Sequence, residues 1–109
     1  MTFKNSANGE AILVEIMKKA VNVGANIIEI ENKDGFEEIY AISGSLGVGI
    51  EMLKSNTEQS IALRAFLQKH KKGAIVKVGE DCYKLKIHIW DSFGEDAYRI
   101  VFKKKGEHL

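Results

Sequence analysis

Two short runs separated by a tight turn constrain this chain more than anything else in it. Asn26–Glu31 (NIIEIE) and Phe36–Ser43 are near-alternating and rich in β-branched and aromatic residues, the pattern of strands. Between them stands Asn32-Lys33-Asp34-Gly35, whose Asp-Gly pair is the signal of a tight hairpin. A connection that short cannot house a crossover, so the two strands run antiparallel. The C-terminal part repeats the logic. Ala74–Val78 is a short strand, Gly79-Glu80-Asp81 turns the chain, and Cys82–Trp90 alternates cleanly. Tyr83, Leu85, Ile87 and Ile89 then face one way, and Lys84, Lys86, His88 and Trp90 the other. Asp91–Glu95 form a loop and Asp96–Lys104 a last strand, with Tyr98, Ile100 and Phe102 inward.

Two helical stretches interrupt the strands. From Asn8, residues Ile12, Ile16, Ala20 and Val23 recur at spacings of three and four, with Leu13 and Met17 beside them. Ser6 or Asn8 can cap the start, and Gly24 can end the helix in the left-handed conformation. The second stretch opens at Asn56-Thr57-Glu58-Gln59, a capping-box arrangement, and presents Ile61, Ala62, Ala65, Phe66 and Lys69 on one face, flanked by Leu63 and Leu67. The basic run Lys69-His70-Lys71-Lys72 complements the dipole at its end. Gly44-Ser45-Leu46-Gly47-Val48-Gly49 reads as a connector between strand and helix. The expected fold is therefore α+β, an antiparallel sheet of about five strands with two helices on one face, in the order α-β-β-α-β-β-β. Residues 1–109 form a single domain, with 1–7 and 105–109 as flexible ends.

Composition excludes several classes. The chain of 109 residues is 45% hydrophobic and 28% charged, which suits a soluble globular unit and is too short for a complete nucleotide-hydrolase core. No run approaches the roughly 18 apolar residues of a membrane span. The single cysteine, Cys82, excludes an internal disulfide framework, and a reducing, cytoplasmic setting is the expectation. The formal charge of +1 conceals a split, −4 over residues 1–53 and +5 over 54–109. Since halves of a sequence are not surfaces, a mixed solvated exterior is expected.

Candidate chemistry is sparse. Gly44 and Gly49 have the spacing of a phosphate-binding loop, but Ile50 and Glu51 stand where that loop needs Lys and Ser/Thr, and a carboxylate there repels phosphate. His70, His88 and His108 share no metal-ligand spacing with one another or with Cys82, so no metal or cofactor is expected. The neighbouring carboxylates Glu37-Glu38, Glu80-Asp81 and Glu95-Asp96 read as solvated surface. The row Lys84, Lys86, His88 and Trp90, extended by Arg99 or Lys103 from the next strand, is the one candidate interaction surface. Basic residues beside an aromatic on an open sheet can bind single-stranded nucleic acid, although one Trp falls short of the paired aromatics of such sheets. Ordinary solvated surface, or a protein contact anchored by Trp90, is the favoured reading.

Ala20-Val21-Asn22-Val23-Gly24-Ala25-Asn26-Ile27-Ile28-Glu29-Ile30-Glu31 resembles the helix-to-strand passage A-x-x-x-x-A-S-D-I-H-I-E in the N-terminal domain of type II secretion and type IV pilus assembly ATPases. Ala41-Ile42-Ser43-Gly44-Ser45-Leu46 is similar to that family's R-I-D-G-x-L. Tyr83–His88 and Phe93–Ile100 resemble its D-x-R-V-S and G-E-x-V-x-R-I stretches, in order over residues 10–103. The resemblance implies a PAS-like α/β domain of the kind that precedes a RecA-type motor core in bacteria. Its arginines would reach nucleotide held by the core. Here Ala41 and Ser43 replace the R-I-D-G arginine and aspartate, Lys86 replaces the R-V-S arginine, and Arg99 lies one residue closer to Gly94-Glu95. Walker motifs are absent from these residues. The expectation is a detached, non-catalytic interaction or regulatory module whose partner is another protein, of secretion or pilus machinery, or itself. A small-ligand sensor using the groove between helices and sheet is the alternative, and a nucleic-acid binder comes third.

Overall fold

The computed structural model describes residues 8–106. Its elements are α1 (Gly9–Asn22), β1 (Ile27–Lys33), β2 (Phe36–Ser43), β3 (Leu46–Lys54), α2 (Glu58–Lys69), β4 (Ala74–Val78), β5 (Asp81–Ser92) and β6 (Glu95–Lys104). The strands form one antiparallel sheet in the order β3-β2-β1-β6-β5-β4. Two helices cover one of its faces, so the α+β class is observed. Ser6, His108, the expected flexible end at 1–7 and residues 107–109 of the one expected at 105–109 lie outside the described residues.

The observed order is α-β-β-β-α-β-β-β, with six strands rather than about five. The glycine run expected to connect strand and helix is the sheet-edge strand β3. Gly47 and Gly49 pair with Ile42 and Tyr40, and a Cβ on Gly47 would come within 3.1 Å of the Ile42 Cδ1. Glycine here lets large neighbours on β2 lie across an edge strand rather than breaking the ladder. A register shift between Ile39 and Tyr40 further twists this edge. The last hairpin is also tighter than expected, because β5 continues to Ser92 and turns on Phe93-Gly94 alone. Both the Asp34-Gly35 and Phe93-Gly94 turns have two positive φ values, the geometry that matches strand twist.

Local capping fixes the helices. Asn8 Oδ1 accepts from the Ala11 amide at 3.1 Å, and α1 ends with Ala25 N–H on the Ala20 carbonyl and Gly24 N–H on that of Val21. The cap of α2 is Thr57, one residue after the expected Asn56, and it accepts from the Ser60 amide. The inward stripes also differ from the periodic reading. On α1, Leu13, Ile16, Met17 and Ala20 are buried while Val23 is exposed. On α2 the buried set is Ser60, Leu63 and Leu67, and Ile61 faces solvent. That stripe turned because α2 meets α1 on one flank and offers Arg64 to the sheet on the other.

The core lies between helices and sheet: Leu13, Met17, Leu63 and Leu67 pack over Ile28, Ile30, Ile39, Leu85, Ile100 and Phe102. A charged group is embedded at its margin. Glu37, expected as solvated surface, is 2% exposed. Its Oε2 accepts from Asn32 Nδ2 at 3.0 Å, Ser55 Oγ at 2.8 Å and Arg64 at 2.9 Å, while Oε1 has no hydrogen-bond partner among the described residues. The carboxylate is thus tied to β1, to the turn after β3 and to α2 through one oxygen.

Two stability measurements test this packing. Gly9→Ala should destabilise by about 1–3 kcal/mol in urea unfolding, because the new methyl would sit 2.3 Å from the Ala62 carbonyl oxygen and 2.7 Å from Phe66 Cβ. That reverses the gain Ala normally brings to a helix. Removing the cation at Arg64 leaves the Glu37 charge without its counter-ion. Since the Arg64 side chain is 30% exposed, water can replace part of the loss, and Arg64→Leu should cost about 2–3 kcal/mol. Adding Glu37→Gln should restore part of it, and a double variant less stable than Arg64→Leu would refute the charge argument.

Candidate interaction surface

The face of the sheet away from the helices is built by the period-two alternation of each strand. On β5 the outward residues are Lys84, Lys86, His88 and Trp90, and on β6 they are Arg99, Val101 and Lys103. Register places Lys84 opposite Lys103, Lys86 opposite Val101, His88 opposite Arg99 and Trp90 opposite Ala97. All five candidate residues therefore share one surface, and Ile75 on β4 stands beside Lys84. Lys84, Lys86 and Lys103 form no ion pair among the described residues. Trp90 is 39% exposed and Phe93, at the hairpin tip beside it, is fully exposed. Phe93 also holds a φ of +54°, unusual for a bulky residue, so an aromatic stands at a turn position better suited to Asn or Gly.

Arg99 does not stand alone. Its guanidinium donates to Glu29 Oε2 through Nε at 2.7 Å and NH2 at 2.5 Å, across the ladder joining β1 to β6. Glu29 begins a second set that the sequence reading missed: Glu29 and Glu31 on β1, and Glu38 and Tyr40 on β2, opposite one another in register. The expected mixture of charge holds on the helices but not here. The sheet order puts every strand before residue 54 on one side of the β1–β6 seam and every strand after residue 74 on the other. The charge split in the sequence therefore becomes a spatial one on this face. Lys33 and Lys54 reverse the sign at one end of the acidic side, as Glu95 does on the basic side. The alternation of Glu29 and Glu31 was the available signal, but only pairing with β6 gives it a place.

Other chemistry is limited. Among the described residues, no group of three or more His, Cys, Asp or Glu could hold a metal ion, and no helix is long and apolar enough to cross a membrane. The groove expected for a small ligand corresponds to two clefts between helix and sheet, one of about 230 Å³ lined by Ile12, Ile16, Leu53, Gln59 and the Lys19–Glu51 ion pair, and an open one of about 420 Å³ lined by Gln68, Lys71, Ile87, His88, Ile89 and Asp96. Ligand sites usually enclose about 300–1,000 Å³.

Two tyrosine hydroxyls titrate late. Tyr40 donates to Glu38 Oε1 at 2.6 Å, and that bond, with the nearby carboxylates, raises its pKa above the usual value. Burial raises that of Tyr98, partly offset by the hydrogen bond from Gln68. An unfolded chain would release these protons first, so the stability they supply is intact below the ordinary tyrosine range and falls as pH climbs through the folded values. Following tyrosinate absorbance against pH, Glu38→Ala should move one phenol back toward its ordinary value and leave the Tyr98 component in place. Unchanged titration would show that Glu38 does not hold the Tyr40 proton. Neither protein-family models nor curated protein sequences match this chain.

Proposed function

We propose that this domain is a non-catalytic interaction or regulatory module that works through the open face of its sheet. The observation that carries the reading is the exposed Trp90–Phe93 pair beside lysines without ion-pair partners among the described residues. Large aromatics exposed on a surface are the side chains that anchor protein contacts, and the surrounding charges steer encounter. A long hairpin carries both aromatics, so their spacing is set by β5–β6 pairing rather than by a loose loop.

The motif resemblance to the N-terminal domain of secretion and pilus ATPases supports a PAS-like regulatory role of the same kind, in which any nucleotide chemistry belongs to a partner. Lys86 and Arg99 are the cations left where that family carries arginines, and both stand on the open face. Arg99 is engaged by Glu29, which suits an electrostatic contact surface better than a free finger directed at phosphate.

Affinity capture from native lysate tests the proposal, with Lys86→Ala/Trp90→Ala as the surface control. The native chain should retain specific proteins that the double variant loses, while both show the same thermal unfolding. Turnover of any nucleotide by the purified chain would overturn the non-catalytic reading, and identical capture by both proteins would remove the open face from it.

A further inference from the structure

The open face is complementary to itself, and the symmetry that makes it so can be deduced. A two-fold axis running parallel to the strands, above the β1–β6 seam, exchanges the acidic and basic sides. It sets β6 of one copy over β1 of the other and β5 over β2. An axis perpendicular to the strands would instead stack like charge on like. With the first axis, each residue near the seam meets the copy of its own cross-seam neighbour. Those neighbours are already matched within the chain: Arg99 with Glu29, and Val101 with Ile27. The same pairings recur between copies, an isologous arrangement in which residue i meets j and j meets i.

On the next strands aliphatic and aromatic groups, rather than opposite charges, meet the polar ones. Lys86 and His88 lie in the rows of Val101 and Arg99, so they approach Ile42 and Tyr40 of the second copy, and Trp90 comes over its Glu38 edge. Outside the central rows, Lys33 and Glu95 are again opposite in sign. Sheets packed in this way keep their strands within about 30° of each other, close enough to preserve these rows at the centre.

Area decides how tight the pair can be. With rows preserved, β1, β2, β5 and β6 overlap their counterparts while β3 and β4 barely meet, so four strands about 4.8 Å apart and about 7 residues long offer a shared face of roughly 450 Å². Standard interfaces cover about 800 Å² per partner, so the pair falls below that range and is a weak one. With a seam of Ile27, Ile42 and Val101 flanked by charge, association should be reversible and sensitive to salt.

From this complementarity we infer that the partner of the open face is a second copy of this chain, paired face to face about an axis parallel to the strands. The inference rests on the proposed use of this face for protein contact. Sedimentation equilibrium of the purified chain tests it directly. The native chain should dimerise with rising concentration, and added salt should weaken the dimer. Arg99→Glu and Glu29→Arg, each alone, should raise the dissociation constant about tenfold or more, because each sets like charges together at the centre. Mixed in equal amounts, the two variants should form a heterodimer, since each then meets its opposite across the axis. The exchange Glu29→Arg/Arg99→Glu in one chain should restore the homodimer. Thermal unfolding of each variant as a monomer separates lost pairing from lost folding, and Trp90→Ala supplies a second, charge-neutral weakening of the dimer. A native chain that stays monomeric throughout overturns the inference, as does a dimer indifferent to Arg99→Glu. In either case the capture experiment still decides whether the face binds another protein.

Discussion

The antiparallel ladder between β1 and β6 is the constraint on which the rest of the molecule depends. It joins a strand near the start of the chain to one near its end, with Glu29 opposite Arg99. Without it there would be two three-stranded meanders, each carrying one helix and neither able to cover its own apolar face. With it, Ile28 and Ile30 lie beside Ile100 and Tyr98 at the centre of one sheet, and both helices find a continuous floor. The pairing is also the entropically expensive step, since the intervening chain must be ordered before these contacts form.

Placing β1 beside β6 has an electrostatic consequence that neither strand has alone. Charges separated along the chain become separated across a surface, with the Arg99–Glu29 pair at the boundary. On the helical side of the sheet the same polar chemistry serves structure instead. Glu37 is held by Asn32, Ser55 and Arg64 beneath α2. Its neighbour in sequence, Glu38, points the opposite way and holds the Tyr40 proton on the open face. One residue of register separates a buried anchor from a surface carboxylate.

Much of the fold was legible because it depends on local rules. The Asp34-Gly35 hairpin, the alternation of Cys82–Trp90, the cap at Asn8 and the left-handed Gly24 all follow from backbone sterics and from orphan hydrogen-bonding groups. The shared face of Lys84, Lys86, His88 and Trp90 was likewise written in a period of two. The strand β3 was not legible, because glycine at 47 and 49 carries no strand propensity and is held there by Ile42 and Tyr40 across the ladder. The inward stripe of α2 was misplaced for a related reason. Ile61 is as apolar as Leu63, and only the position of α1 and the sheet decides which one is covered.

The amino-acid sequence by itself thus determined both helices, every strand but β3, the antiparallel hairpins β1–β2, β4–β5 and β5–β6 and the outward set on β5, since these arise from interactions among near neighbours. Tertiary structure alone decided that β1 pairs with β6, that Glu37 is buried while Glu38 is not, and that acidic and basic residues lie on opposite sides of one seam. Those outcomes rest on contacts between residues as far apart as Glu29 and Arg99. No local pattern encodes them, because the free energy that selects such a contact comes from burying the two halves of the chain against each other.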